Sequence, residues 1–171
     1  MQNHFELFQL PMRFDVDTTA LNAAYHEVQA RVHPDKFASA SDAEKRVAMQ
    51  WATRANEAYQ VLKHPLKRAK YMCELHGVDL QTESNTAMPP AFLMQQMEWR
   101  ESLEEAQSAS DVGSLEELHR ELRSAQKLVL TTIAQLLDKG EFQQAAQSVR
   151  QLMFLEKFGE EVEQAFEKIG S

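Results

Sequence analysis

One cysteine in 171 residues, Cys73, leaves no partner for an intramolecular disulfide and too few thiolates for a cysteine-held zinc or iron–sulfur centre. Glycine and proline are scarce as well, five of each, against an average usage of roughly 12% for the two together. A sandwich or barrel needs a turn about every 8 to 12 residues, so this shortage argues for a few long helices and against a sheet-rich fold. No apolar run approaches the roughly 18 residues of a membrane span. Met1 to Pro11 lacks the basic and apolar regions of a secretory signal, Glu6 and Gln9 interrupting its Phe and Leu residues. The absences point to a soluble cytoplasmic protein in a reducing compartment, with no membrane partner. No activated nucleophile, metal cluster or phosphate-cradling glycine loop is recognisable, so no catalytic residue, metal site or cofactor is expected.

What is present is unevenly distributed. Residues 1–76 carry ten Lys and Arg against nine Asp and Glu, a net of +1, whereas the remaining 95 carry eight against seventeen, a net of −9; together these give the formal −8. Such asymmetry suggests two modules with different partners. The acidic second module is a poor candidate for nucleic acid, whose phosphates must be neutralised by cations. Between the modules, GVDLQTESNTAMPP at 77–90 reads as a connector. The expected organisation is a first module at 1–76, the connector, and a second module at 91–171.

In the first module Phe5, Leu7, Phe8 and Leu10 form a short apolar segment stopped by Pro11. Asp17 or Thr18 can cap a second helix whose stripe is Leu21, Tyr25, Val28 and Val32, ended by Pro34. Ser41 and Glu44 form a capping box opening a third helix, with Ala48, Trp51, Ala55, Tyr59 and Leu62 expected inward up to His64. A fourth, Leu66 to His76, closes at Gly77. The expectation is an antiparallel helical hairpin with two short helices. At its tip Pro34 fixes the backbone and holds an imidazole, His33, and a carboxylate, Asp35, on either side. By itself His-Pro-Asp is equally compatible with helix-stop and turn chemistry.

His-Pro-Asp between two amphipathic helices, with FELFQL before and AYQVLKHPLKRAKY after, resembles the J-domain family over residues 3 to about 76. The resemblance implies a co-chaperone that docks on a heat-shock chaperone ATPase and stimulates its ATP hydrolysis, a regulator and not an enzyme. It assigns chaperone binding to His33, Pro34 and Asp35, with Arg31 and Lys36 beside them. The second helix departs from the family's basic run: it offers Arg31 with His26, opposed by Glu27.

The second module reads as a three-helix bundle, all-α like the first. Its segments run from Ala91 to about Ser108, from a capping box at Ser114 and Glu117 to Gly140, and from Glu141 to about Ile169. On a wheel of about 100° per residue, Phe92, Gln96, Trp99, Leu103 and Ala106 share the inner face of the first segment. Leu93, Met94 and Met97 then fall roughly 100° to 200° away, with Glu98, Glu101, Glu104 and Glu105 also off the core stripe. Leu152 to Leu155, LMFL, is apolar all round, so one residue must turn outward, and Phe154, roughly 140° from Val149, is the candidate. These groups are either scattered or intermodule surface, or an adaptable methionine-bearing patch for a partner protein.

A J-domain followed by an acidic bundle containing FLMQQMEWRE and RQLMFLEKF is similar to the HscB family of iron–sulfur cluster assembly, over essentially the whole chain. The resemblance implies that the J-domain engages a chaperone of the HscA type while the bundle binds a scaffold of the IscU type and delivers it. It assigns scaffold binding to Leu93, Met94, Met97, Glu98, Glu101, Glu104, Glu105 and Phe154. Another client, with the same His-Pro-Asp loop, is the alternative.

Overall fold

Asn3, Asp17, Ser41 and Asp111 do one job: each side-chain oxygen accepts a backbone N–H of the turn that follows, supplying a partner that a helix's first residues lack. These caps start four of the seven α-helices in the computed structural model, which describes residues 2–80 and 88–170. The helices are α1 (His4–Leu7), α2 (Thr18–Arg31), α3 (Asp42–Lys63), α4 (Pro65–Leu75), α5 (Pro90–Ala109), α6 (Val112–Asp138) and α7 (Phe142–Gly170). A 3-10 turn, Pro34–Phe37, separates α2 from α3. Regular structure among the described residues is helical throughout.

The chain divides into two compact units, 1–72 and 73–171. In the first, α2 and α3 are antiparallel: the Tyr59 hydroxyl donates to Asn22 at 2.7 Å near the start of α2, whereas Tyr25 and Gln29 both donate to Asn56, a turn earlier in α3. Tyr25 and Tyr59 stack with ring centroids 4.1 Å apart. Alanines at 48, 55 and 58 let the helices approach, and Phe5, Phe8, Phe14, Leu21 and Leu62 fill the remaining interior. Arg68 is an interior strut: its guanidinium lies over the Phe14 ring at 4.7 Å and donates to the Leu62 carbonyl at 2.6 Å, satisfying an acceptor at the end of α3. Burial pulls its pKa below the ordinary arginine value, partly opposed by Asp15.

In the second unit the pairs Phe92–Phe154 and Trp99–Phe158 run α5 parallel to α7, while His119–Phe166 and the close approach of Gly159 to Leu122 run α6 antiparallel to it. The result is an up-down-up bundle. Trp99, Leu103, Ala106, Leu115, Leu118, Leu122, Leu155, Phe158, Val162 and Ala165 form a continuous core.

Several local expectations need correction. Ser114 is not the cap of α6: the helix begins two residues earlier, and Asp111 accepts from the Ser114 backbone N–H at 3.1 Å and from its hydroxyl at 2.7 Å. The charged carboxylate one turn upstream is a stronger acceptor than the hydroxyl, and these hydrogen bonds pull the Asp111 pKa below the usual carboxylate range. In α3 the Ser41 hydroxyl accepts from the Glu44 N–H, but the Glu44 carboxylate takes a hydrogen bond from that hydroxyl, not from the Ser41 backbone. Trp51 does not turn fully inward and stays 40% exposed. Residues 77–80 are more than a tether, since Val78 and Leu80 are buried and Arg150 donates to the Asp79 carbonyl at 3.3 Å. The rest of the expected connector, 81–87, lies outside the described residues. Gly77 and Gly140 follow α4 and α6 with φ of +78° and +76°, the left-handed geometry expected of them.

Candidate functional site

At the hairpin tip the backbone leaves α2 at Val32, and His33 takes φ −59° and ψ 137°, an extended conformation that the following proline favours. Pro34 then opens the 3-10 turn, where its missing N–H costs nothing. The His33 ring is a cap: Nδ1 accepts the Asp35 backbone N–H at 3.2 Å, and the His33 carbonyl accepts from the Lys36 N–H at 3.0 Å. With Nδ1 used as an acceptor, the neutral imidazole carries its proton on Nε2. The Asp35 carboxylate lies 3.6 Å from Nδ1, with its side chain 92% exposed. The loop is therefore rigid in backbone and open in side chain: three consecutive residues are positioned by the turn itself, while the carboxylate and imidazole stay solvated. Beside it Lys36 is exposed, and Arg31 forms a salt bridge with Glu27 one turn back in α2. That pairing leaves α2 little net charge near the loop. Arg68 belongs to the interior and adds nothing to it.

The second constellation is a helix flank. Gln96, Trp99, Leu103 and Ala106 are buried in the bundle with Phe92 packed against its core, while Leu93, Met94 and Met97 on the same helix are 48%, 62% and 65% exposed. On α7 Leu152 and Leu155 are buried and Phe154 is 52% exposed, its ring edge-on to Phe92 with centroids 6.4 Å apart. Phe92 thus ties Phe154 to the start of α5, on the flank where Leu93 and Met97 project. Below them Arg100 bridges to Glu161 at 3.0 Å and lies over Phe158 at 5.7 Å, fixing α5 to α7. The acidic residues are not all brought together. Glu104 borders a hollow of about 240 Å³ with Arg100 and Glu161 on the α7 side. Glu98 instead lines a groove of about 880 Å³ between α5 and α6, with Trp99 and Arg120, and Glu105 lines another of about 480 Å³ beside Asp111. Glu101 is exposed between the two sides. The four carboxylates thus face different sides of α5.

Among the described residues no group of three or more His, Cys, Asp or Glu side chains could hold a metal ion, and no helix is long and apolar enough to cross a membrane. Cys73 is fully buried and its thiol is pushed up to about 11 by burial, with Arg150 opposing and Glu74 assisting the shift.

Residues 88–163 match the family model described as the HSCB C-terminal oligomerisation domain. A co-chaperone protein HscB homolog of Burkholderia thailandensis is 57% identical over 167 residues, 98% of this chain and 95% of that one. This chain belongs to the HscB family. Among solved structures, chaperone HscB from Vibrio cholerae matches with a TM-score of 0.86 and 36% identity, covering 98% of this chain and 99% of that one. Human co-chaperone protein HscB matches with a TM-score of 0.90 and 27% identity, covering all of this chain and 84% of the human one. The fold is the family's N-terminal J-domain and C-terminal helical bundle, and the chain is a J-type co-chaperone of iron–sulfur cluster assembly.

Sequence reasoning missed the aromatic at the hairpin's edge. Trp51 lies on the wheel's inner stripe, but two hollows open beside it along Val28 and Val32, and with Arg54 over its ring at 5.4 Å the indole stays partly exposed. The signal was its size: an indole stands on a helix whose other inward positions at 48, 55 and 58 are alanines.

Proposed function

We propose that this chain is a two-ended adaptor. The His33-Pro34-Asp35 loop, with Arg31 and Lys36, docks on a heat-shock chaperone of the HscA type and stimulates its ATPase. Leu93, Met94, Met97 and Phe154, rimmed by Glu98, Glu101, Glu104 and Glu105, bind an iron–sulfur scaffold protein of the IscU type and deliver it in the cytoplasm. The chain itself catalyses nothing; the groups that hydrolyse ATP belong to the chaperone. The modules correspond to a J-domain at 1–76, a joining segment at 77–90 and a scaffold-binding bundle at 91–171.

The observation that carries this reading is the exposure of four large apolar side chains, three on α5 and one on α7, in a bundle whose core is complete without them. Exposed apolar groups rimmed by polar ones favour burial against a partner, and thioether side chains adapt to its contour. Holding cargo and chaperone on one chain makes their encounter effectively intramolecular, so modest separate affinities suffice.

The test is calorimetric titration of a purified scaffold into wild type and a Leu93→Ala, Met97→Ala, Phe154→Ala variant. Affinity should fall by about a hundredfold or more if two such contacts are central to the interface. An unchanged affinity with an unchanged melting temperature refutes the patch.

A further inference from the structure

The J-domain's own surface beside the loop is apolar where charge would be expected. Trp51, 40% exposed, stands at the meeting of two hollows. One, of about 310 Å³, is lined by Val32, Phe37, Ala43, Val47 and the indole. The other, of about 350 Å³, is lined by Glu6, Leu7, Val28, Arg31, Val32 and the indole. Val47 is 51% exposed on the next turn of α3. This surface runs into the loop without a break, because Val32 is the residue before His33 and Phe37 ends the 3-10 turn that Pro34 begins. Its charges are few and partly engaged: Arg31 pairs with Glu27, Arg54 lies over the Trp51 ring at 5.4 Å and donates to the Gln2 carbonyl, and Glu6 and Glu44 each border one hollow. An exposed indole lying between two hollows contributes far more by shedding water against an aliphatic group than these paired charges contribute by steering.

We propose that Trp51, with Val32, Phe37 and Val47, forms an apolar docking surface for the same chaperone that the His33-Pro34-Asp35 loop engages, receiving an aliphatic side chain or short apolar segment of that partner. This rests on the loop being the chaperone's docking point. It makes Trp51 a specificity-determining residue: the loop supplies the trigger, and the indole supplies adhesion that few charges on α2 could give.

The experiment is titration of purified HscA-type chaperone with wild type, Trp51→Ala, Trp51→Phe, Val47→Asp and His33→Gln, each with its thermal melt and with ATPase stimulation measured at saturation. Trp51→Ala should weaken binding by about tenfold or more, as truncating a central interface aromatic does, with stimulation at saturation retained. Trp51→Phe should recover most of the affinity. Val47→Asp, a change at an exposed position that leaves the fold intact, should weaken binding comparably by placing a charge in the hollow. Wild-type affinity should change by less than about threefold between 50 and 300 mM salt, since apolar contact is not screened. Wild-type affinity in both Trp51→Ala and Val47→Asp overturns the docking surface, and if His33→Gln in the same series loses stimulation, the loop's role stands without it. Full stimulation by His33→Gln overturns the loop reading itself. A steep salt dependence, or a change in self-association in place of chaperone affinity, also overturns the proposal.

Discussion

The two functional regions are built in opposite ways. The loop at 33–36 is held by its backbone: a proline, a histidine cap and a 3-10 turn fix where polar groups stand, and each side chain is open to water. The patch on α5 and α7 has no hydrogen bonding of its own; its position comes from regular helices, and its identity comes from apolar side chains that the bundle does not use. The difference teaches how each fails. A loop of this kind loses function when backbone geometry changes, a patch when side chains are shortened, and neither loss need register as unfolding.

The largest expected effect tests the support on which the patch depends. Phe158 is fully buried and stacks on Trp99 at 5.8 Å. Phe158→Ala should cost about 3–5 kcal/mol in urea denaturation, through lost burial and the cavity left behind. Scaffold affinity should fall only to the extent that the bundle unfolds. Pro34→Ala should move stability by less than about 1 kcal/mol while reducing ATPase stimulation sharply, because it frees φ at the loop without removing a contact of the core. Gly159 sits mid-helix in α7, where an added Cβ would meet the Leu122 side chain at 3.4 Å, an ordinary contact. Gly159→Ala should therefore stabilise by about 0.5–1 kcal/mol, and a lower chemical-denaturation midpoint would show the α6–α7 packing to be tighter than described. Smaller still, Met97→Ala should stay within about 0.5 kcal/mol of wild type in stability, as expected for an exposed side chain with no structural partner.

Cys73 gives a pH test with no stability change near neutrality. Burial raises its folded pKa to about 11, above the roughly 8.5 of an unfolded thiol, so folding favours the protonated form. That contribution is complete below the unfolded value and is lost as pH rises through about 11. A disulfide reagent should modify the native thiol slowly from pH 7 to 9 and the urea-unfolded thiol rapidly; equal rates would show that the thiol is not shielded.

The same contrast explains what was legible in the sequence. The loop could be read because its chemistry is local: a His, a Pro and an Asp in succession determine their own geometry, and a helix stop is visible in the residues themselves. Helix number and the left-handed glycines at 77 and 140 were equally local. The patch was legible only by subtraction, from the one face of α5 already committed to the core. Where two neighbouring groups compete for one role, as Asp111 and Ser114 do for the cap of α6, spacing does not decide and proximity does. Trp51 was misjudged for a different reason: a wheel gives direction but no depth, and the indole stays 40% exposed beside a hollow. The division of the acidic rim between two flanks of α5 is likewise a property of neighbours that a single helix does not contain.

The central claim is that one chain must carry both ends, and it is tested by mixing variants. Scaffold-dependent stimulation of the chaperone's ATPase would be measured with His33→Gln alone, with the Leu93→Ala, Met97→Ala, Phe154→Ala variant alone, and with the two in equal amounts. The adaptor account predicts that the mixture is no better than the sum of its parts, because cargo is bound on one molecule and the trigger lies on another. Recovery of wild-type delivery by the mixture would contradict it.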